Sequence, residues 1–272
     1  KWKGSFRWVF ETFEDLLADP EANRMASEFI IRKMRERIKD PKVADILVPK
    51  IDDYPLFAKR PPLDHGYLEC FDRDDVHLVD IRDEGEPIVE ITEKGVRTTK
   101  NEYEFDIIVL ATGFSAYTGA LEAFPIRGVS GQTLAEKWQE TSKSIMGVCV
   151  ADFPNMFVIT GPQAPFANLP TSIEQNAIWI TNCIRKMESE GYDVCIPKPE
   201  AEEEWSKHVA EVHMATLMNE GDKVHSWMMG ANLETKPPRV LIYFGGANNY
   251  YDKLDESANE GFPELEFQKR AS

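Results

Sequence analysis

From Phe10 to about Ile46 the apolar residues recur at three- and four-residue steps. Phe13, Leu16 and Leu17 share one face, and beyond Pro20 the series continues through Met25, Phe29, Ile30, Met34 and Ile38. This spacing predicts helices with a single apolar stripe, punctuated at Asp19-Pro20 and Asp40-Pro41, with the Lys and Arg residues on the solvated face. The Pro-rich stretch from Tyr54 to Gly66 predicts a loop. Between Val76 and Phe114 the pattern changes to short strands: VHLVDI, PIVEIT, a turn at Lys94-Gly95, VRTT, then FDIIVLATGF. Five consecutive apolar residues, Ile107 to Ala111, predict a strand covered on both faces, with a turn at Thr112-Gly113. Leu134 to Trp138 predicts a short helix, and NMFVITG at 155–161 a second buried strand ending in glycine. Ile173, Ala177, Ile178, Ile180, Ile184 and Met187 predict a helix over 171–190, capped by Thr171 or Ser172, with Glu174 in the first turn and Gly191 ending it. A second amphipathic helix over 200–218, a strand over 239–244 and an acidic tail complete the pattern. No internal repeat and no low-complexity segment is present.

Helices alternating with buried strands indicate an α/β chain, in which ligands bind at the carboxyl ends of the strands. Yet no GxGxxG follows any strand, so the loop that would hold a dinucleotide pyrophosphate is missing from this sequence. The 272 residues, 42% apolar and 11% aromatic, suffice for one large domain or two small ones. A net charge of −16 and a pI near 4.8 argue against nonspecific binding to nucleic acid or to an anionic membrane. Cys70, Cys149, Cys183 and Cys195 make neither a zinc spacing nor a disulfide framework, so a reducing, cytoplasmic compartment is expected. The five histidines show no metal-ligand spacing, and His208 and His213 read as solvated surface. No apolar run approaches the roughly 20 residues of a membrane span. The first residue is Lys, as expected of a partial chain.

Four motifs carry a resemblance: KRPPLDHGYLECF at 59–71, VLATGFSAYTGAL at 109–121, DFPNMFVITGPQAPFANLPTSIEQ at 152–175 and SWMMGAN at 226–232. In this order they resemble the carboxyl-terminal half of the Baeyer–Villiger monooxygenases, with spacing similar to the cyclohexanone and cyclopentanone branch. The chain departs from the family pattern at Leu68, at 233–236 and at Tyr250-Tyr251. The resemblance implies a flavoprotein fold of two interleaved dinucleotide-binding domains. Residues 1–56 would end a helical insert, 57–106 would complete the NADPH domain, and 107–272 would be the returning part of the FAD domain. The family's glycine-rich loops would then lie upstream of Lys1.

The resemblance also implies an activity: FAD and NADPH with molecular oxygen convert a small apolar ketone to an ester or lactone through a flavin C4a-peroxide. Arg60 would be catalytic, because a negative oxygen in a partly dry site needs a permanent positive charge beside it. Lys59 would meet the NADPH 2′-phosphate. Taken by residue type alone, the pair reads as two solvated cations. Trp227 would fold over the cofactor as part of a mobile lid with Met228, Met229 and Gly230, and Lys236 would continue that loop towards a cofactor phosphate; a buried anchor and a solvated lysine are the plainer alternatives. Asn168, Leu169, Pro170 and Thr171 open a helix whose free N–H groups suit the pyrimidine edge of a flavin. Phe166, Ala167, Leu169 and Phe244 would line the substrate pocket, with ordinary core packing as the alternative. Thr112 and Gly113 would approach the FAD from the strand end.

Two other readings share these features. One is a related monooxygenase that oxidises nitrogen or sulfur, against which the KRP loop and SWMMGAN speak. The other is a noncatalytic remnant that binds partners through bared surfaces. On either view the isolated chain is expected neither to hold FAD tightly nor to turn over, and to expose apolar strands. Its oligomeric state is not legible.

Overall fold

A computed structural model describes residues 14–233 and 235–269, which divide into two compact units. Unit 1 comprises residues up to Leu56 together with Pro61–Gly113, and unit 2 comprises Phe57–Arg60 and the chain from Phe114 onwards. The expected helical turns at Phe10 and Phe13 and the loop position Glu234 lie outside the described residues.

In unit 1 the two Asp-Pro pairs start helices. Asp19 caps α1 (Pro20–Arg35) by accepting from the Ala22 N–H at 2.8 Å, and Asp40 caps α2 (Pro41–Leu47) by accepting from Lys42 N–H at 2.8 Å. The buried face of α1 is narrower than its large apolar residues suggest: Ala22, Asn23 and Ala26 are buried, while Met25 is exposed. Asn23 explains the difference, because its amide donates to the carbonyls of Leu16 and Leu56 and accepts from Leu56 N–H, fixing that face against both flanking loops. Ile38, Ala44 and Val48 then pack with Leu68 of the short helix α3 (Tyr67–Cys70). Arg37 bridges Asp64 and Glu69, each at 2.6 Å, and this guanidinium holds the Asp64 carboxyl at about 2.

The meander expected before Phe114 is present as β1 (Ile88–Ile91), β2 (Gly95–Thr98) and β3 (Glu102–Glu104), paired antiparallel in that order. VHLVDI is not a strand, and neither is the apolar run that follows β3. Ile107, Val109 and Leu110 are 80%, 83% and 70% exposed, and no backbone hydrogen bond joins 106–113 to another described segment. The buried strand therefore fails for a physical reason: a strand needs neighbours on its edges and layers on its faces, and this unit supplies neither.

Unit 2 holds the larger core. Helix α4 (Gly119–Glu122) and the capping-box helix α5 (Leu134–Lys137) precede the segment 142–163, which is pinned by bonds such as Val158 N–H to Val148 C=O at 2.8 Å rather than forming the expected strand at 155–161. Strand β4 (Ala164–Pro165) leads into α6 (Leu169–Glu190). That helix begins at Leu169, two residues before the expected start, after the N-cap Asn168, whose side chain makes no capping bond; Thr171 and Ser172 lie inside it. Gly191 ends it at φ +72°, as expected, a left-handed residue that glycine adopts without a Cβ clash. Strand β5 (Val194–Pro197) and helix α7 (Pro199–Met214) follow. After two 3₁₀ turns, Leu217–Val224 and Trp227–Met229, come β6 (Ile242–Tyr243), α8 (Ala247–Asn259) and β7 (Leu265–Gln268). β6 pairs parallel with β4, and β7 pairs antiparallel with β5. The acidic tail is thus an ordered helix and strand. Trp179 and Cys183 of α6, Trp205 and Val209 of α7, and Tyr250 and Leu254 of α8 close the core between these elements. Tyr250, at a position where the chain departs from the resemblance, is fully buried, accepts from Asn176 Nδ2 and donates to the Met146 carbonyl, both at 2.7 Å. Among the described residues no helix is long and apolar enough to cross a membrane.

Candidate active site

The residues Phe57–Arg60 belong to unit 2, and they bring Arg60 to the loop before α6. Its guanidinium carbon stands 5.2 Å from the centroid of the Phe166 ring. Phe166 meets the Trp227 indole edge to face at 5.6 Å, and Trp227 stacks on Tyr117 at 6.3 Å with the rings 18° apart. Four side chains from four sequence regions therefore form one ladder with a cation at its end. A guanidinium over a ring face is held by the ring's quadrupole without losing its charge. Among the described residues Arg60 and the exposed Lys59 beside it form no ion pair. Both cations are exposed, and together they make a small positive patch in a chain with sixteen excess negative charges.

Tyr117 was not evident in the sequence. It adopts φ +63°, a strained setting for an aromatic residue, and desolvation pushes its hydroxyl up to about 12, so the ring is a neutral, fixed shelf for Trp227. The only sequence signal was an aromatic residue among small ones in SAYTGA. The loop carrying Trp227 is tied to the same region, since Asn232 Nδ2 donates to the Phe114 carbonyl at 3.1 Å. The expectation of a mobile lid needs correction at its neighbours: Met228 and Met229 are 5% and 7% exposed, and Met228 packs with Leu241 and Ile242 as a core anchor. Phe244 packs half-buried in that cluster and lies 5.5 Å from the His213 ring. His213 is itself buried, not solvated, because α7 turns it towards β6 and away from water.

The loop ahead of α6 leaves Phe166 and Leu169 about two-fifths exposed, with Ala167 half-buried. Because Asn168 supplies no side-chain cap and Pro170 has no N–H, the first-turn amides of Leu169 and Thr171 remain open to an acceptor. Lys236 is already committed. Its ammonium pairs with Glu122 at 2.5 Å with both side chains nearly buried, contrary to the solvated reading. Thr112 and Gly113 lie exposed at the end of unit 1, Gly113 at φ +86°. No group of three or more metal-ligating side chains occurs among the described residues.

No protein-family model matches the chain. Individual proteins do. Cyclohexanone 1,2-monooxygenase from Acinetobacter sp. is 38% identical over 270 residues, which is 99% of this chain and 48% of that protein. Phenazine N-monooxygenase PhzNO1 from Lysobacter antibioticus is 41% identical over 261 residues, 94% of this chain and 47% of that one. The crystal structure of cyclohexanone monooxygenase from Rhodococcus sp. Phi1 bound to NADP+ superposes with a TM-score of 0.89 at 39% identity, covering 97% of this chain and 48% of that one. In both fold and sequence the chain's relatives are α/β flavin-dependent monooxygenases. Within that class the chain's homologues include Baeyer–Villiger monooxygenases. The chain spans about half the length of the curated relatives it matches.

Proposed function

We propose that this chain supplies the arginine-bearing side of an NADPH- and FAD-dependent Baeyer–Villiger monooxygenase that converts an apolar ketone and molecular oxygen to an ester or lactone. The observation that carries this reading is Arg60, a permanent cation held on Phe166 with no carboxylate partner among the described residues. When bound, the flavin and the reduced nicotinamide supply the electrons and the activation of oxygen. Arg60 keeps a positive charge where negative charge develops on oxygen, and the rings of Phe166 and Trp227 hold it in place and exclude water on one side.

The residues present fit part of each cofactor. Open amides at the start of α6 suit the acceptor edge of a flavin ring, and Lys59 suits a phosphate. The absence of any GxGxxG from this sequence means that no residue of this chain cradles a dinucleotide pyrophosphate in that way. Lys236, held by Glu122, contributes only if that pair opens. Supporting the cofactor assignment, related crystal structures are described as complexes with FAD and NADP. The same proposal assigns residues 1–56 to the end of a helical insert, 57–106 to the NADPH domain and 107–272 to the FAD domain. It also places the chain in the cytoplasm, in keeping with four free cysteines.

A second reading is favoured by one finding. A relative named as an N-oxidising enzyme matches this chain as well as the ketone-oxidising ones do, so the KRP loop and SWMMGAN do not by themselves separate the two chemistries. A chimera in which this chain replaces the matching half of cyclohexanone 1,2-monooxygenase decides between them. Lactone from cyclohexanone is the expected product, and Arg60→Ala should lower its turnover roughly 10²- to 10³-fold while NADPH still reduces the flavin. N-oxide from phenazine with no lactone would transfer the proposal to the second reading. The chain by itself is expected to purify colourless, and a stoichiometric flavin spectrum with NADPH oxidation would overturn that expectation.

A further inference from the structure

Arg239, in unit 2, is a buried cation. It is 7% exposed and forms no ion pair among the described residues, since Glu122, the carboxylate whose field reaches it, is held by Lys236. Burial pulls the guanidinium below its ordinary value, and Glu122 offsets only part of that effect. Buried ionic groups can often be replaced by packed apolar side chains without loss of stability. Stability alone therefore gives no reason for an arginine here.

Its contacts give one. The Nε–H donates to Ser142 Oγ at 2.8 Å, and Nη1 donates to the Pro237 carbonyl at 3.2 Å. The Arg239 backbone N–H donates to the Met229 carbonyl at 2.8 Å. The guanidinium also lies against Gly230, where a Cβ would stand 3.0 Å from Nη1. Gly230, at φ +60°, donates its own N–H to the Trp227 carbonyl at 3.0 Å and so closes the 3₁₀ turn that carries the indole. Arg239 therefore grips the end of this turn with backbone and side chain together, and it ties the turn to Ser142 in the segment before β4. Trp227 meets Phe166, and Phe166 seats Arg60. A planar fork of donors with fixed directions suits such a grip better than the freely turning ammonium of a lysine.

We propose that Arg239 is a positioning residue for the ladder: through Met229 and Gly230 it sets the angle of the Trp227 turn, and thereby the seat of Arg60 on Phe166. Only the use of the ladder as an active site rests on the function proposed above; the grip itself does not.

The test is made by NMR on the purified chain, with the Trp227 indole N–H assigned through Trp227→Phe and the Arg60 Nε–H through Arg60→Lys. A guanidinium over a ring face has its signals displaced upfield. Arg239→Met keeps an apolar stem and loses the donors. It should move the Trp227 signal and reduce the Arg60 displacement by roughly half or more, with little change in thermal unfolding. Ser142→Ala, which removes one acceptor, should move both signals in the same direction and by less. Arg239→Lys keeps the charge without the fork and should restore neither signal. Tyr250→Phe is the control, because it lowers stability from another part of the core and should leave both signals in place. Where Arg239→Met does not fold, Ser142→Ala and Arg239→Lys carry the test. Unmoved signals in the Arg239 and Ser142 variants, full restoration by lysine, or an equal displacement in Tyr250→Phe would overturn the positioning role. No cofactor or turnover enters these measurements, so a failed grip and a failed lactone assay are told apart.

Discussion

The Tyr250 hydroxyl links three parts of unit 2: α8, which carries it, Asn176 of α6, and the Met146 carbonyl in the segment before β4. Removing it strands a buried amide and a buried carbonyl together. Tyr250→Phe should therefore cost about 1–3 kcal/mol in urea unfolding although it deletes a single atom from a well-filled core. Glu264 acts in the opposite direction. Burial lifts its folded pKa above the ordinary value, so in the window between the two the folded chain holds a proton that the unfolded chain releases, and stability falls as pH rises through it. Glu264→Gln keeps an acceptor for Ser257 without the charge. The variant should lose less stability than the parent as the pH rises above the ordinary carboxylate range, measured by thermal unfolding, and an equal loss would count against buried ionisation as the cause. Residues of this kind were opaque in the sequence, as Tyr117 was. A positive φ at an aromatic position, or the burial of one glutamate among many, depends on what the fold brings alongside. Arg60 and Trp227 were legible because they stand in motifs.

Among elements, the helices were readable wherever one stripe carried the burial, as in α6 and α7, and α8 was missed because its buried face rests on Tyr250, Leu254 and Ser257 in a stretch otherwise polar. Strands were less readable, since an apolar run specifies a wish for neighbours without naming them; VHLVDI, Ile107 to Ala111 and 155–161 are the examples. Helix starts offer a direct comparison. Asp19 caps α1 through its side chain whereas Asn168 does not cap α6, so Asp19→Ala should destabilise by about 0.5–2 kcal/mol and Asn168→Ala by much less. Paired denaturation curves of the two variants would check this. A large cost at Asn168 would mean that the residue serves the fold, while a small one leaves it available to a ligand at the open helix end.

Over the molecule as a whole, the exposed run beyond β3 governs behaviour in solution. Long unpaired apolar backbone is a template for pairing with other chains. Val109→Lys should lower light scattering on standing and dye binding to apolar surface, with the unfolding temperature unchanged, because Val109 buries almost nothing in the described fold. A fall in unfolding temperature would show that the run contributes to packing after all.

The four residues Phe57–Arg60 have a further consequence. They are counted with unit 2 although the chain on both sides of them belongs to unit 1. The cation and the rings that seat it are thus contiguous in space and interrupted in the gene. Recombination that exchanged everything after Phe114 as one block would carry over Phe166, Trp227 and Tyr117 and leave the arginine behind. Inheritance of this chemistry therefore requires crossover points on both sides of a four-codon island, which ties the histories of the two units together even though each has a core of its own.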